Sequence, residues 1–345
     1  ILPWIHLYGD VQGQYKLCCH IPTKDSVGTY KEPISTIFNN DKYKEARLKF
    51  LSGEVPNECK FPCYDKEKLG GISNRQQVNQ RFARYAKIQK YTKSDGSVLN
   101  HPIYLDIRFG NKCNFKCRSC GPDASSSWFK DSLKISKFKN TPAQLEDYYT
   151  DSPDFWVYLD KIKNSLKHFY FAGGEPFVQD GHYKLLEYLI DNGYAKNISL
   201  SYNTNLSYDK YKKYDLQDLW ENFKKVDLWP SCEGMGKRGE YSRKGLDWSK
   251  FESNVNKFSK HINTVSSVVS IWSITAVPDL IIWLKRRDIN FYLSSLTGPT
   301  FASITCLPKE AKSTINRMYK VFLERYGHLL NESEIDNIKN VLSYM

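Results

Sequence analysis

From about residue 101 onward, short apolar runs alternate with amphipathic stretches. The apolar runs predict strands at 103–109, 167–172, 197–202, 226–231, 265–272 and 290–294. The stretches between them predict helices at 123–137, 180–193, 208–225, 246–261 and 276–287. This alternation implies right-handed β–α–β units around a parallel sheet. Six such units are fewer than the eight of a complete β/α barrel.

The two ends of the chain differ from this central part. Residues 309–345 predict helices that pack outside the sheet or close it. The first hundred residues predict a loop-rich segment with little core of its own. No internal repeat or low-complexity segment is evident. We therefore predict three parts, at residues 1–100, 101–300 and 301–345.

The composition is that of a globular protein without a membrane span. Hydrophobic residues make up 41% and charged residues 26% of the 345 positions. The longest apolar region, 265–284, contains Pro278 and Asp279 and is a poor membrane span. The start of the sequence shows no signal-peptide pattern. Nine cysteines, most of them grouped at ligand spacings, fit a reducing compartment, so we predict a cytoplasmic location.

Three cysteines follow the first predicted strand in the spacing C-x3-C-x2-C, namely Cys113, Cys117 and Cys120. A [4Fe–4S] cluster that only carries electrons has four protein ligands, whereas three thiolates leave one iron open to another ligand. A zinc site would need a fourth ligand, and a disulfide framework suits shorter, secreted chains. The spacing alone leaves the iron–sulfur and zinc interpretations open.

A glycine pair follows the next predicted strand, in the order Gly173, Gly174, Glu175 and Pro176. Two glycines at a strand end let the backbone approach a ligand closely. The carboxylate of Glu175 could then accept a hydrogen bond from an ammonium group. The alternative is a turn that only connects a strand to a helix.

Polar residues also end the two strands after that. Asn203 and Asn205 could reach sugar hydroxyls, although Asn is equally common in ordinary strand-to-helix turns. Ser231 ends the following strand, and Arg243 lies a short way downstream. The donor fork of an arginine matches a carboxylate, and the alternative for Arg243 is a surface position.

These ordered motifs resemble those of the radical S-adenosylmethionine (radical SAM) enzymes. The resemblance implies a partial (β/α)6 barrel over residues 101–300. It also implies that Cys113, Cys117 and Cys120 hold a [4Fe–4S] cluster whose open iron binds S-adenosylmethionine. The residues implied in binding this cosubstrate are Gly173, Gly174, Glu175, Pro176, Asn203, Asn205, Ser231 and Arg243.

The activity implied is reductive cleavage of S-adenosylmethionine to methionine and a 5′-deoxyadenosyl radical, which abstracts hydrogen from a substrate. The chain departs from the family at two positions. Glu233 stands where Asp is usual, and Ser119 stands where many members have an aromatic residue near the adenine. Tyr202 and Trp128 are our candidates for stacking on the adenine instead.

The N-terminal part resembles the auxiliary-cluster module of the twitch/SPASM subgroup. It has a Pro-Trp-Ile-His-Leu stretch, a step to Cys18 and Cys19, and the pair Cys59 and Cys63. Glu67, Gly70, Ser73 and Arg75 follow in the order of that signature. The module usually follows the barrel, whereas here it precedes it, and three residues rather than two separate the second pair.

The resemblance implies that these four cysteines bind an auxiliary iron–sulfur cluster within a module at residues 1–100. In similar sequences a cysteine often stands just before the Leu-Pro-Trp stretch, a position that would fall before residue 1 here. We therefore expect a further cysteine ligand there unless Cys18 and Cys19 both bind. The alternative is a structural zinc knot of Cys18, Cys19, Cys59 and Cys63. The C-terminal part, 301–345, is predicted to be helical.

The substrate is the least constrained part of the prediction. Twitch/SPASM relatives often modify peptides or proteins, so we expect a peptide or protein substrate and an electron donor such as flavodoxin or ferredoxin. The net charge of +12 leaves open a nucleic acid or nucleotide, with basic stretches at 134–139, 210–213 and 285–287. A non-catalytic, metal-stabilised binding protein is the third alternative.

Overall fold

A parallel sheet organises the chain, and the computed structural model describes residues 1–68, 72–135, 145 and 147–345. The strands are β1 (His6–Gly9), β2 (Gln14–Lys16), β3 (Gly28–Thr29), β4 (Tyr104–Ile107), β5 (Lys116–Cys117), β6 (His168–Phe171), β7 (Ser199–Thr204), β8 (Lys210–Tyr211), β9 (Tyr214–Asp215), β10 (Lys225–Pro230), β11 (Arg243–Lys244), β12 (Thr264–Val269) and β13 (Asn290–Ser295). The helices are α1 (Leu2–Ile5), α2 (Ile34–Ile37), α3 (Asp41–Leu51), α4 (Asn57–Cys59), α5 (Lys66–Lys68), α6 (Asn74–Arg81), α7 (Phe129–Ser132), α8 (Pro153–Ile162), α9 (Asp180–Asp191), α10 (Leu216–Trp220), α11 (Gly236–Ser242), α12 (Trp248–Lys257), α13 (Val277–Lys285), α14 (Lys309–Tyr326) and α15 (Glu332–Tyr344).

All six predicted strands of the central part are present, as β4, β6, β7, β10, β12 and β13. β4, β6, β7 and β10 are neighbours in one sheet and run parallel. Isolated parallel bridges from Leu228 to Ile262 and from Ser231 to Ser266 join β10 to the β12–β13 pair, which is also parallel. The α/β class and the parallel sheet are therefore confirmed.

The sheet does not close on itself among the described residues. The outer edge of β13 is met by α15, where the side chain of Asn337 accepts from the Leu293 amide at 2.7 Å and donates to its carbonyl at 2.9 Å. Such bonds satisfy backbone groups that an edge strand would otherwise leave open. The strand order agrees with a partial (β/α)6 barrel, whose curvature stays a prediction.

The N-terminal segment contributes a strand to this same sheet. β1 pairs in parallel with β4, with His6 opposite Tyr104, and β2 and β3 continue the sheet as antiparallel strands. Residues assigned to an auxiliary module thus extend the sheet predicted for residues 101–300. The division of the chain into three domains stays a prediction.

One buried arginine fastens this N-terminal segment. Arg47 of α3 is fully buried and donates to the carbonyls of Pro3 at 2.8 Å and Gly96 at 3.2 Å. It also donates to the carbonyl of Phe38 at 2.5 Å and to the side chain of Asn39 at 2.8 Å. A guanidinium suits this position because its donors lie in a rigid fork.

Alternating residues give the sheet one apolar and one polar face. The apolar, outer face is covered by helices; Leu7 and Leu105 of the sheet meet Phe155 and Leu159 of α8 there. The inner face instead carries polar and aromatic side chains, among them Tyr8, Asp106, Arg108, His168, Tyr170, Ser201, Asn203, Asp227 and Trp229. A polar concave face is expected where a parallel sheet binds a ligand.

The helix predictions were correct in part. The predictions at 180–193, 246–261 and 276–287 correspond to α9, α12 and α13, and two helices occupy 309–345. The helix predicted at 208–225 is wrong, because the β8–β9 hairpin takes its first half and only the short α10 follows. In place of the single helix predicted at 123–137, the structure has a 3-10 turn followed by the short helix α7. The last two residues of that prediction, 136 and 137, lie outside the described part.

Two further observations complete the fold. Helix α8, which begins at Pro153, was not predicted; Pro153 at the first helical position fits the usual role of proline there. Within the described ranges, no helix combines the length and hydrophobicity that crossing a membrane requires.

Candidate functional site

The three-cysteine loop leaves the carboxyl end of β4 and is held open by its own side chains. The buried amide of Asn111 donates to the Pro122 carbonyl at 2.7 Å, and Ser125 donates to the Phe115 carbonyl at 2.6 Å. Within the loop, β5 pairs antiparallel with β11, which brings Arg243 opposite Cys117. Cys117 is buried, Cys113 is half-buried and Cys120 is exposed. The loop therefore carries its thiols from the edge of the core, at Cys117, to the surface, at Cys120.

Two of these thiols are in contact. The Cys117 thiol donates a hydrogen bond to Cys120, which raises the pKa of Cys117 and lowers the pKa of Cys120. Burial raises the pKa of Cys113 to about 11. These thiols would have to lose their protons to bind a metal, so metal binding at this loop is expected to release protons.

The glycine pair packs directly on the cysteine loop. The Gly174 amide donates to the Gly110 carbonyl at 3.0 Å, and the Glu175 amide donates to the Lys112 carbonyl at 2.9 Å. A Cβ at Gly174 would lie 2.2 Å from the Lys112 carbonyl oxygen, so no other residue fits there. Gly173 has a φ of +112°, a conformation that glycine adopts without strain. The two predicted motifs are therefore neighbours.

Glu175 is buried, and its carboxylate joins two strand ends. It accepts hydrogen bonds from the Thr204 hydroxyl at 2.7 Å, the Asn205 amide at 2.6 Å and the Phe177 amide at 3.1 Å. Burial raises the pKa of Glu175 to about 7. Pro176 begins a buried 3-10 turn directly afterwards. An ammonium ligand of Glu175 would have to share a carboxylate that three protein donors already use.

Asn203 in β7 and Asn205 just after it differ in their surroundings. The side chain of Asn205 donates to Asn114 of the cysteine loop at 2.9 Å and accepts from Ser207 at 2.6 Å. The side-chain oxygen of Asn203, on the inner face beside Trp229, is buried and has no hydrogen-bond partner among the described residues. An unpaired buried oxygen costs free energy unless a ligand donates to it. Asn203 is therefore the better placed of the two for a sugar hydroxyl.

Arg243 is buried against an acidic partner. Its Nε and Nη2 donate to the two carboxylate oxygens of Glu233, each at 2.6 Å, and its Nη1 lies 3.7 Å from Cys117 Sγ. Ser231, at the carboxyl end of β10, donates its amide to the Thr204 carbonyl at 2.9 Å. From the sequence, Glu233 is visible only as a departure from the radical SAM pattern that the chain resembles. In the structure it is the partner of Arg243.

Neither candidate for adenine stacking lies free on the inner face. Tyr202 is fully buried on the outer face, where its hydroxyl contacts His182 Nε2 at 2.9 Å and its ring packs on Phe171 and Phe177. That prediction is wrong because β7 turns Tyr202 away from the site. Trp128 stays close to the cysteine loop and donates to the Cys117 carbonyl at 2.9 Å.

The inner face carries a residue pair that sequence analysis missed. Arg108 Nε lies 2.7 Å from Asp106 Oδ1, and the guanidinium lies over the rings of Tyr8 at 5.5 Å and Tyr170 at 4.9 Å. Asp106 in β4 and Arg108 directly after the strand alternate with the apolar residues Leu105, Ile107 and Phe109. That alternation within the first predicted strand was the signal that could have identified them.

The N-terminal cysteines interact electrostatically with one another and with this pair. Desolvation raises the pKa of Cys19 to about 11 although the residue as a whole is exposed, and the charges of Asp106, Arg108 and Cys63 also act on it. Burial and the neighbouring Cys63 raise the pKa of Cys59 to about 12. The charges of Cys19, Cys59 and Cys63 act in turn on Cys18, so the four thiols lie within electrostatic range of one another.

The remaining signature residues of this segment form a small network. Glu67 and Arg75 form an ion pair, Ser73 donates to Glu67, and the Arg75 guanidinium lies 4.4 Å from the centre of the Tyr64 ring. Gly70 lies outside the described residues. In the described part of the chain, no three His, Cys, Asp or Glu side chains surround a point where a single metal ion would bind. The auxiliary ligand set stays a prediction.

A cleft of 720 Å³ opens beside the cysteine loop. Lys112 and Gln179 line its inner end, where Gln179 donates to the Lys112 carbonyl at 2.8 Å. Charges of both signs line the rest, with Lys31, Asp147, Asp151, Asp180 and Lys184 among them.

The fold and the site together define an α/β protein with a cysteine loop at the carboxyl ends of parallel strands. No protein-family model matches the chain. No curated protein matches it either.

Solved structures with a related arrangement include three of SuiB from Streptococcus suis. The structure bound to S-adenosylmethionine is 15% identical to this chain with a TM-score of 0.43, and the match covers 83% of this chain and 64% of the SuiB chain. The structure bound to precursor peptide SuiA is 15% identical with a TM-score of 0.44, and the match covers 82% of this chain and 59% of the SuiB chain. A third structure is 16% identical with a TM-score of 0.43, and the match covers 82% of this chain and 63% of the SuiB chain. This chain thus spans less than two thirds of SuiB, and similarity at this level carries no function over to it.

Proposed function

We propose that this protein is a radical SAM enzyme that abstracts hydrogen from a peptide or protein substrate. One observation carries the proposal: four motifs far apart in sequence meet at the carboxyl ends of adjacent parallel strands. The cysteine loop is bonded to the glycine pair after β6, to Asn205 after β7 and to Arg243 beyond β10. Parallel α/β proteins place their active sites at this edge.

The donor set fits a [4Fe–4S] cluster with one open iron. Cys113, Cys117 and Cys120 would hold it, since three thiolates are available in one short loop. When bound, such a cluster supplies one electron at low potential to S-adenosylmethionine. Three soft sulfur ligands in one short loop would leave a coordination position open, which suits an iron–sulfur cluster with an external ligand better than a closed zinc site, which takes four ligands.

The other residues of the site would bind and orient the cosubstrate. The glycine pair lets the strand end pack closely on the cysteine loop and so places Glu175 beside it, and the free side-chain oxygen of Asn203 can accept from a ribose hydroxyl. Ser231 lies at the next strand end along the same edge. The rings of Tyr170 and Trp229, 5.9 Å apart on the inner face, would help to exclude water from a bound cosubstrate, which protects a reactive intermediate.

The substrate would lie on the polar inner face between the two cysteine groups. Arg108 and Asp106 neutralise one another there, and Arg81, which contacts Ser201 and His168, adds one positive charge at the end of the face. A face with one such cation and several hydrogen-bonding groups suits a peptide segment better than a phosphate backbone, which needs several unpaired cations. The N-terminal cysteines would hold the auxiliary cluster at the end of this face, and an electron donor such as flavodoxin or ferredoxin would approach the exposed Cys120.

The basic stretches do not favour a nucleic acid. Lys210 pairs with Asp215, Lys212 with Asp180 and Lys213 with Glu187. The stretch at 285–287 likewise has partners, because Lys285 pairs with Glu334 and Arg287 with Glu252. Much of the stretch at 134–139 lies outside the described residues. Nucleic acid therefore stays an alternative that no contact supports.

The test is S-adenosylmethionine cleavage by protein reconstituted anaerobically with iron and sulfide. Dithionite is the reductant, and 5′-deoxyadenosine and iron are measured. We expect wild type to form 5′-deoxyadenosine and to hold about eight irons, as two [4Fe–4S] clusters require. The variant with Cys113, Cys117 and Cys120 all changed to Ala should form none. Cys306→Ala, an exposed cysteine outside both groups, is the matched control and should keep full activity.

Three outcomes would contradict the proposal. Protein that takes up zinc and refuses iron has a structural metal site. Protein that holds iron but neither binds nor cleaves S-adenosylmethionine is a metal-stabilised binding protein. Protein that loses its fold along with the three thiols uses them as a structural ligand set, and circular dichroism of the triple variant distinguishes that case.

A further inference from the structure

The pair of Glu233 and Arg243 is the most completely buried charged contact beside the cysteine loop. Glu233 is 3% exposed and Arg243 is 8% exposed. Two parallel N–H to oxygen bonds of 2.6 Å join the guanidinium to both carboxylate oxygens. This bidentate form is the strongest arrangement that these two groups can make.

The guanidinium of this pair also contacts the Cys117 thiol. The third guanidinium nitrogen, Nη1, lies 3.7 Å from Cys117 Sγ, within the range of an N–H to sulfur hydrogen bond. Backbone pairing fixes this approach: Arg243 lies opposite Cys117 between β11 and β5, and the Arg118 amide donates to the Ser242 carbonyl at 2.9 Å. The ladder places Arg243 beside Cys117, and the two bonds to Glu233 hold its guanidinium in that orientation.

Glu233 occupies one of the two edges of the guanidinium that can bind a carboxylate. Of the five N–H groups of Arg243, those on the Nε–Nη2 edge donate to Glu233, and one on Nη1 approaches Cys117 Sγ. The arginine to which the family resemblance assigns a cosubstrate carboxylate is thus already engaged by the chain's own carboxylate and thiol.

We propose that Glu233 and Arg243 are a positioning pair that acts on the Cys117 thiolate and sets the electron affinity of a cluster bound there. The inference rests on the proposed function, since it requires iron at Cys117. Hydrogen bonds to cluster sulfurs and local charge are the main protein controls on the potential of such clusters. The guanidinium favours the reduced, more negative cluster, and the carboxylate of Glu233 offsets part of that effect.

The two partners therefore have opposite effects, which gives a sharp test. In reconstituted protein without S-adenosylmethionine, a redox titration followed by electron paramagnetic resonance measures the midpoint potential of the cluster at the three-cysteine loop. Glu233→Gln removes the offsetting charge and should shift this potential upward. Arg243→Gln removes the donor and should shift it downward, and Arg243→Lys, which keeps the charge, should shift it less than Arg243→Gln.

A second readout separates this role from binding of the cosubstrate. Because Arg243 is committed to Glu233 and Cys117, Arg243→Lys should change the affinity for S-adenosylmethionine by no more than about twofold, which is under half of one tenfold step. A loss of tenfold or more would assign Arg243 to the carboxylate of S-adenosylmethionine and overturn the inference.

Control variants distinguish a failure of this inference from a folding defect and from a failure of the proposed function. Glu252→Gln alters a matched ion pair with Arg287 between α12 and α13 and should leave the potential unchanged. Arg243→Gln leaves the buried Glu233 carboxylate without its partner and could therefore fail to fold. In that case the double variant Glu233→Gln with Arg243→Gln should still shift the potential downward. Equal potentials in all variants that hold full iron would overturn the inference alone. Wild type that holds no cluster at the three cysteines would overturn the proposed function first.

Discussion

At the scale of single residues, the carboxylate of Glu175 joins the ends of two strands. Its three hydrogen bonds connect the loop after β6 to the end of β7, and no solvent reaches it. Burial of a carboxylate favours its protonated form, which is why its pKa rises to about 7 from an ordinary value of 4.5. The folded chain therefore holds a proton there that the unfolded chain releases at lower pH.

This difference predicts a pH dependence of stability. The contribution of the protonated group is fully present below about pH 4.5 and is lost as the pH rises through about 7. Glu175→Gln cannot titrate. As the pH rises through that interval, the free energy of unfolding of this variant should therefore increase by up to about 3 kcal/mol relative to that of wild type. Urea unfolding of the cluster-free chain at several pH values measures it.

The control for this prediction is Glu310→Gln, which changes an exposed carboxylate in the first turn of α14. Its difference from wild type should stay constant over the same pH interval. A constant difference for Glu175→Gln as well would show that Glu175 is ionised throughout.

The residues of the site were predictable to different degrees. The cysteine loop and the glycine pair carry short motifs, and the structure places them side by side. The partner of Arg243 was not predictable, because ten residues separate Glu233 from it and only the β5–β11 pairing brings the two together at Cys117. Asp106 and Arg108 were visible as a polar alternation, but the apolar character of 103–109 as a whole concealed it.

At the scale of elements, periodicity predicted strands better than helices. The strands lie in the interior, where apolar runs are continuous and leave a clear signal. The stretch 208–225 was misjudged because a β8–β9 hairpin needs only two short pairs, which no periodicity reveals. Helix α8 was missed because it lies between the helix predicted at 123–137 and the strand predicted at 167–172, in a stretch to which sequence patterns assigned no element.

The element most dependent on a single side chain is the N-terminal segment around Arg47. Arg47→Met keeps the volume but removes donors from the carbonyls of Pro3, Phe38 and Gly96. Buried acceptors without donors are costly, so we expect a loss of about 3–5 kcal/mol in the free energy of unfolding. Urea unfolding monitored by tryptophan fluorescence measures it.

The matched variant is Arg84→Met, which changes an exposed arginine in the same segment. It should change stability by less than about 0.5 kcal/mol. An equally small effect of Arg47→Met would mean that water or a rearranged backbone replaces its hydrogen bonds.

At the scale of the whole molecule, the first hundred residues are built into the sheet. β1 supplies a parallel neighbour to β4, and Phe82 stacks on Tyr104 at 5.1 Å at the end of the inner face. Arg81 reaches Ser201 at 3.1 Å on the same face. A module that could be removed would leave these contacts unmade and β4 with an open edge.

We therefore expect a chain that starts at residue 101 to lack a cooperative unfolding transition. The reason is that β4 loses its neighbour and the inner face loses its cover. Differential scanning calorimetry and size-exclusion chromatography of the purified fragment measure this outcome. Coexpression of residues 1–100 as a separate chain should restore a soluble complex.

The opposite result would be equally informative. A fragment that starts at residue 101 and unfolds cooperatively on its own would show that the N-terminal part is a separable module, as the resemblance to twitch/SPASM proteins implies. The auxiliary cysteines would then be dispensable for the fold and could be studied on the isolated first hundred residues.

The parallel pairing of β1 with β4 also determines the order in which the chain can fold. Residue 104 must be synthesised before residue 6 finds its neighbour, so β1 leaves the ribosome with both edges unpaired. Long-range parallel pairing is slow, and unpaired strand edges promote aggregation. The antiparallel β2 and β3, which are close in sequence, can cover one edge early. The three-stranded antiparallel unit that they form with β1 therefore protects one edge of the newly made chain until β4 has been synthesised and can pair with the other edge.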